Sequence, residues 1–74
     1  MIWTDIAAPV RAALERDLTS RELEVFRLSL GGMGDRTIAN ALGVHRTTVQ
    51  DARRRARIKA ARIIDPKGRH ADHP

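Results

Sequence analysis

The chain has 74 residues, 31% of them charged, a net charge of +5 and no cysteine. So short a chain makes at most one domain, which buries only about 60% of the surface its unfolded form exposes. Neither disulfides nor a thiolate zinc site can add to that core, and no apolar run approaches the roughly 20 residues of a membrane span. Met1 to Asp5 lacks the basic start and apolar centre of a signal peptide, so a soluble intracellular protein is expected.

The charge is unevenly placed. Residues 1–44 hold five arginines against six acids, net −1; residues 45–64 hold six arginines and Lys59 against Asp51, net +6; residues 65–74 are neutral. The whole excess falls on one segment, which reads either as a solvated basic face or as a surface for a polyanion.

Taken in order, the chain first places Ile6, Val10, Ala13 and Leu14 at helical spacing. Pro9 is tolerated only in a first turn, which predicts a helix over about 8–16 with a loose turn before it. Trp3 and Ile6 then cap its apolar side; Trp3 packs at the terminus or contacts a partner. Leu18-Thr19-Ser20-Arg21-Glu22-Leu23 combines a capping box, Thr19 with Glu22, and a hydrophobic staple, Leu18 with Leu23. The helix they start, 20–30, carries Leu23, Phe26 and Leu30 on one stripe with Val25 and Leu28 beside it. That arc is wide enough for a central helix packed on more than one neighbour.

Gly31-Gly32-Met33-Gly34 ends that helix. No strand precedes it and no GK[ST] follows, so it is a tight turn rather than a phosphate cradle. A third helix, about 35–42, has Asp35 as its expected cap and ends at Gly43, where positive φ allows a sharp turn. The fourth runs from His45 or Arg46 to about 64. Ile38, Leu42, Val44, Val49 and Ala52 fall on the inward side of this pair, and Arg46, Thr47, Gln50, Asp51 and Arg54 on the outward side. This is the spacing of a helix-turn-helix with a small residue, Ala39, where the helices cross. Because the basic run directly follows such a turn, nucleic-acid contact is the stronger reading of it.

Leu18 to Phe26, Gly32, Ile38-Ala39, Leu42-Gly43-Val44 and Thr47-Thr48-Val49 resemble the LuxR-type and sigma-factor region 4 DNA-binding domains, without a gap over about 18–60. The run Arg53-Arg54-Arg55-Ala56-Arg57 is closer to sigma region 4. Two positions depart from the pattern: His45 stands where a serine is common, and Ala52 where a bulky polar residue is usual. The resemblance implies a bacterial or phage protein, cytoplasmic and nucleoid-associated, that puts the helix after Gly43 in the DNA major groove.

The expected architecture is therefore all-α: a small four-helix domain over 1–64 containing a helix-turn-helix with a long C-terminal recognition helix, and a disordered tail over 65–74. Base-reading candidates are His45, Arg46, Thr47, Gln50, Asp51 and Arg54. Arg46 suits guanine O6 and N7, Gln50 adenine N6 and N7, Asp51 cytosine N4, and Thr47 a thymine methyl. His45 serves either as a donor or as a plain helix-start residue. Phosphate candidates are Arg36, Thr37, Thr48, Arg53 and Arg57. Arg55, Lys59 and Arg62 lie off that stripe, as backbone contacts, solvated charge or contacts to an acidic partner.

The far end of the long helix carries Ile58, Ala60, Ala61, Ile63 and Ile64. It has two candidate occupants, the N-terminal helix folding back and a second copy forming a homodimer. His70 and His73 lack a third ligand, so neither a metal nor any other cofactor is expected. With no cysteine nucleophile, no clustered carboxylate pair beside a histidine, no metal set and hardly enough chain to enclose a pocket, an enzyme is not expected. The function expected is a sequence-specific double-stranded DNA-binding transcription regulator, a small repressor, Cro-like or accessory protein. With no sensor domain in these residues, its control would come from concentration, a partner or degradation. The alternative is a sigma region 4-like interaction module that binds RNA polymerase or a sigma factor, with DNA binding secondary.

Overall fold

Most local signals in the sequence have a counterpart in the backbone. The computed structural model describes residues 1–64; the expected tail, with His70 and His73, lies outside the described residues. A 3-10 turn, Trp3–Asp5, precedes α1 (Ala8–Asp17), α2 (Ser20–Leu30), α3 (Asp35–Leu42) and α4 (Arg46–Ile64). The described residues are thus all-helical, and the four helices begin and end within about a residue of the predicted limits.

Pro9 sits in the first turn of α1. Arg11 ties the preceding turn to it, donating to the carbonyl oxygens of Ile6 at 2.6 Å and Thr4 at 3.5 Å. At the start of α2 the capping box is complete: the Glu22 N–H donates to Thr19 Oγ1 at 3.2 Å and the Thr19 N–H to Glu22 Oε1 at 3.0 Å. Leu18 and Leu23 pack in one cluster below it, as the staple requires. Gly32, at φ 94°, turns the chain after α2.

Gly43 closes α3 in the left-handed region, φ 68° and ψ 35°. The Val44 N–H then returns to the Ala39 carbonyl at 3.0 Å. A Cβ at Gly43 would meet no atom within 4 Å, so a side chain there has room and only the backbone resists it. Gly43→Ala should therefore cost about 1–2 kcal/mol, the penalty of a left-handed non-glycine residue. In a domain this small that lowers the melting temperature by roughly 4–8 °C per kcal/mol. A thermal melt matching wild type would show that the turn does not depend on glycine.

The core is strung along α4 in two clusters. Val25, Ile38, Ala39, Val49 and Ala52 form the first, with Leu28, Met33, Leu42 and Val44 against it. Leu14, Leu18, Ala56 and Ala60 form the second, with Trp3, Ile6, Val10, Leu23, Phe26 and Ile63 against it. α2 serves both, through Val25 on one side and Leu23 and Phe26 on the other, and its contact with α4 is the most extensive in the fold. Alanine at 52, 56 and 60 is what lets α2 and α1 approach the α4 backbone closely. The fold-back of α1 onto the end of α4 is thus found. Trp3 packs on that cluster, with the Arg27 guanidinium carbon 5.0 Å from its ring centre. Ile58 and Ile64 remain 49% and 69% exposed.

Candidate nucleic-acid interface

α4 is amphipathic in a particular way: one stripe is anchored and the rest is presented. Val49, Ala52, Ala56 and Ala60 are buried, while Arg46, Thr47, Thr48, Gln50, Asp51, Arg54 and Arg57 are exposed. His45, also exposed, precedes the helix, and its carbonyl accepts from the N–H groups of Thr48 at 3.0 Å and Val49 at 3.3 Å. All six base-reading candidates are therefore exposed on or beside the first half of α4. Ala52 is not on the presented face; its methyl lies in the first core cluster.

Two ion pairs fix how this helix stands on the others. Arg53 Nη1 donates to Asp35 Oδ1 at 2.8 Å, joining α4 to the first turn of α3. Its side chain is 39% exposed, against 70% for Arg54. Arg53, expected to contact phosphate, ties the two helices of the motif together. Asp35 is not the cap expected: Gly34 occupies that position, no side chain caps α3, and Asp35 is the first helical residue. Its carboxylate, beside the N-terminal end of the helix dipole, holds Arg53 in place.

The second pair joins Lys59 Nζ to Glu22 Oε1 at 2.7 Å. Glu22 is the buried charged residue of the described chain, 5% exposed. Burial by itself would raise its carboxyl pKa. The Lys59 hydrogen bond, the Thr19 N–H, the Lys59 charge and the Thr19 hydroxyl outweigh it and hold the group below its ordinary value. The acidic partner of Lys59 thus lies inside the chain. Both pairs span long sequence separations, and helix periodicity alone does not name the partner in either.

Between α3 and α4 lies an open cleft of about 210 Å³ lined by Asp35, Gln50, Arg53, Arg54 and Arg57. With Asp35 neutralised by Arg53, its surplus charge comes from Arg54 and Arg57. Arg54 also approaches Asp51, Nη2 to Oδ1 3.7 Å, with both side chains mostly exposed. Such a pair adds little stability, about 0–1 kcal/mol at most, and opens readily. Arg36 and Thr37 are exposed in the first turn of α3, next to backbone N–H groups that no side chain caps. Among the described residues no group of acids and histidines could hold a metal ion, and no helix is long and apolar enough to cross a membrane.

Residues 16–59 match the family model of bacterial regulatory proteins of the luxR family. The chain belongs to the LuxR family. The matched span includes both ends of each ion pair, Glu22 with Lys59 and Asp35 with Arg53, and it leaves most of α1 outside. No individual curated protein or solved structure matches the chain significantly. As a LuxR-family helix-turn-helix, this is a DNA-binding regulator domain, of a family whose role is binding rather than catalysis.

Proposed function

We propose that the protein is a sequence-specific transcription regulator that reads the major groove of duplex DNA with the first half of α4. The observation that carries this reading is the split of α4: an alanine-rich stripe fixed in the core, and away from it Arg46, Thr47, Gln50, Asp51 and Arg54, all exposed. Those side chains offer the donor and acceptor sets that distinguish base pairs in the major groove. Arg36, Thr37 and Arg57 lie to the sides, where phosphates set register, and the uncapped N–H groups of α3 favour an anion there. Arg53, whose guanidinium already meets Asp35, is the weakest member of the phosphate set.

Occupancy of a site near a promoter is the mechanism: a bound protein blocks or recruits polymerase, as a small repressor or accessory factor in the bacterial cytoplasm would. Selection of bound sequences from random duplex DNA at moderate salt tests it. The expected result is enrichment of a short motif. A palindromic motif would mean that a second copy binds, using exposed surface such as Ile58 and Ile64. Absence of any enrichment would sink the reading and favour an interaction module, like sigma region 4, docking on RNA polymerase or a sigma factor.

A further inference from the structure

The geometry points to a second phosphate-binding flank on α4, formed by Arg21 and Arg55 with the Thr48 hydroxyl, that grips the DNA strand opposite the one met by Arg57. This inference rests on the major-groove reading above and extends the interface to α2, outside the helix-turn-helix.

A helix with its side chains is about 10–12 Å across, and the major groove is about 12 Å wide. A helix seated there meets a sugar-phosphate strand on each side. On one side of α4 is the cleft toward α3, with Arg54 and Arg57 on it. On the other side a second cleft of about 210 Å³ opens between the start of α2 and α4, with Arg21 on one wall, Thr48 and Arg55 on the other, and Ala52 among its lining residues. Thr48 and Arg55 are seven residues apart, two helical turns, and so share one side of α4.

Two acids also line this second cleft, Glu22 and Asp51. Each has a cation of its own, Lys59 at 2.7 Å and Arg54 at 3.7 Å. Arg21 and Arg55 are exposed, and neither forms an ion pair among the described residues. Two unpaired guanidinium groups therefore border a single cleft whose buried acid, Glu22, is held by Lys59 and whose exposed acid, Asp51, leans toward Arg54. An anion in the cleft relieves whatever repulsion they have, and a guanidinium fork matches the oxygens of a phosphodiester.

The test uses the duplex recovered by selection. Arg21→Ala and Arg55→Ala should each reduce affinity roughly tenfold near 0.1 M salt and lower the slope of log K against log salt by about 0.9. The preferred sequence should stay the same. Melting temperatures should match wild type, since neither side chain has a partner to lose, and Arg21→Lys should restore most of the slope. Methylphosphonate substitution, which removes one phosphate charge at a time, then assigns the strand. Some position on one strand should abolish the effect of Arg55→Ala while leaving that of Arg57→Ala intact. An unchanged salt slope in both variants, with sequence preference retained, would overturn the second flank and leave the major-groove reading standing. So would both arginines mapping to the strand that Arg57 meets. Loss of sequence preference in the selection itself would overturn the major-groove reading and the flank with it.

Discussion

Glu22→Ala should lower the melting temperature of this protein by about 15 °C, more than any other single polar substitution in the described chain. Two contacts go at once. The Thr19 N–H loses its acceptor at 3.0 Å, which breaks half of the box that starts α2, and Lys59 loses the carboxylate 2.7 Å away. Breaking a fully buried pair from one side costs about 3–5 kcal/mol. Here the Lys59 side chain keeps 34% exposure, so water takes up part of its charge. The discounted cost is about 2–3 kcal/mol, and at roughly 4–8 °C per kcal/mol the melting shift follows. Such a loss is a large share of what a domain of this size has, about 3–5 kcal/mol.

Two controls separate charge from packing. Glu22→Gln keeps an acceptor for the Thr19 N–H and should lose less than alanine. Joining Glu22→Gln with Lys59→Met removes both charges and should recover part of the loss, because an apolar side chain needs no counter-charge. The dependence on pH has a fixed sign. The folded Glu22 carboxyl lies below the ordinary value of 4.5, so its contribution is whole above that pH and is lost as pH falls through the folded value. Wild type should lose stability on acidification more steeply than Glu22→Gln, and parallel acid profiles would refute the pairing as a source of stability.

What the sequence disclosed and what it withheld divide along contact distance. Caps, staple and turns are local. Thr19 and Glu22 are three residues apart, Gly43 needs only its own φ, and the inward stripe of α4 repeats every three or four residues. These set the helices and even the docking of α1, since Ile6, Val10 and Leu14 had few other places to be buried. The ion pairs belong to a different scale. Arg53 and Arg54 are neighbours in a run of three arginines, and nothing in the run distinguishes them; only the approach of α3 decides that Arg53 meets Asp35. Lys59 looked like surface charge for the same reason. One clue was present: Lys59 follows buried Ala56 by three residues, so its stem had to start near the core, where an acid from another helix was its natural partner. Arg21 was legible only as part of the capping sequence, because its place across a cleft from Arg55 depends on the packing of α2 against α4.

Asp51 supplies the sharpest test of how α4 meets DNA. It is the sole acid among residues 45–64, on a surface otherwise built to attract phosphate, and it lowers attraction to any duplex. A surface selected only for charge has no use for it. A base-reading surface does: Asp51 can accept from cytosine N4. Asp51→Ala should therefore raise affinity for random duplex DNA while reducing preference for the selected sequence by about 1–3 kcal/mol, roughly 5- to 150-fold. Gln50→Ala should lose a similar preference at a different base pair with no change in salt slope, because no charge is removed. Arg57→Ala should do the reverse, weakening every duplex alike and lowering the slope by about 0.9. Binding measured on the selected and scrambled duplexes over a salt series reads all three. If Asp51→Ala tightens binding to both duplexes equally, the acid is only a local repulsion, and the specificity of α4 must lie with the other candidates, Arg46 and Gln50 first among them.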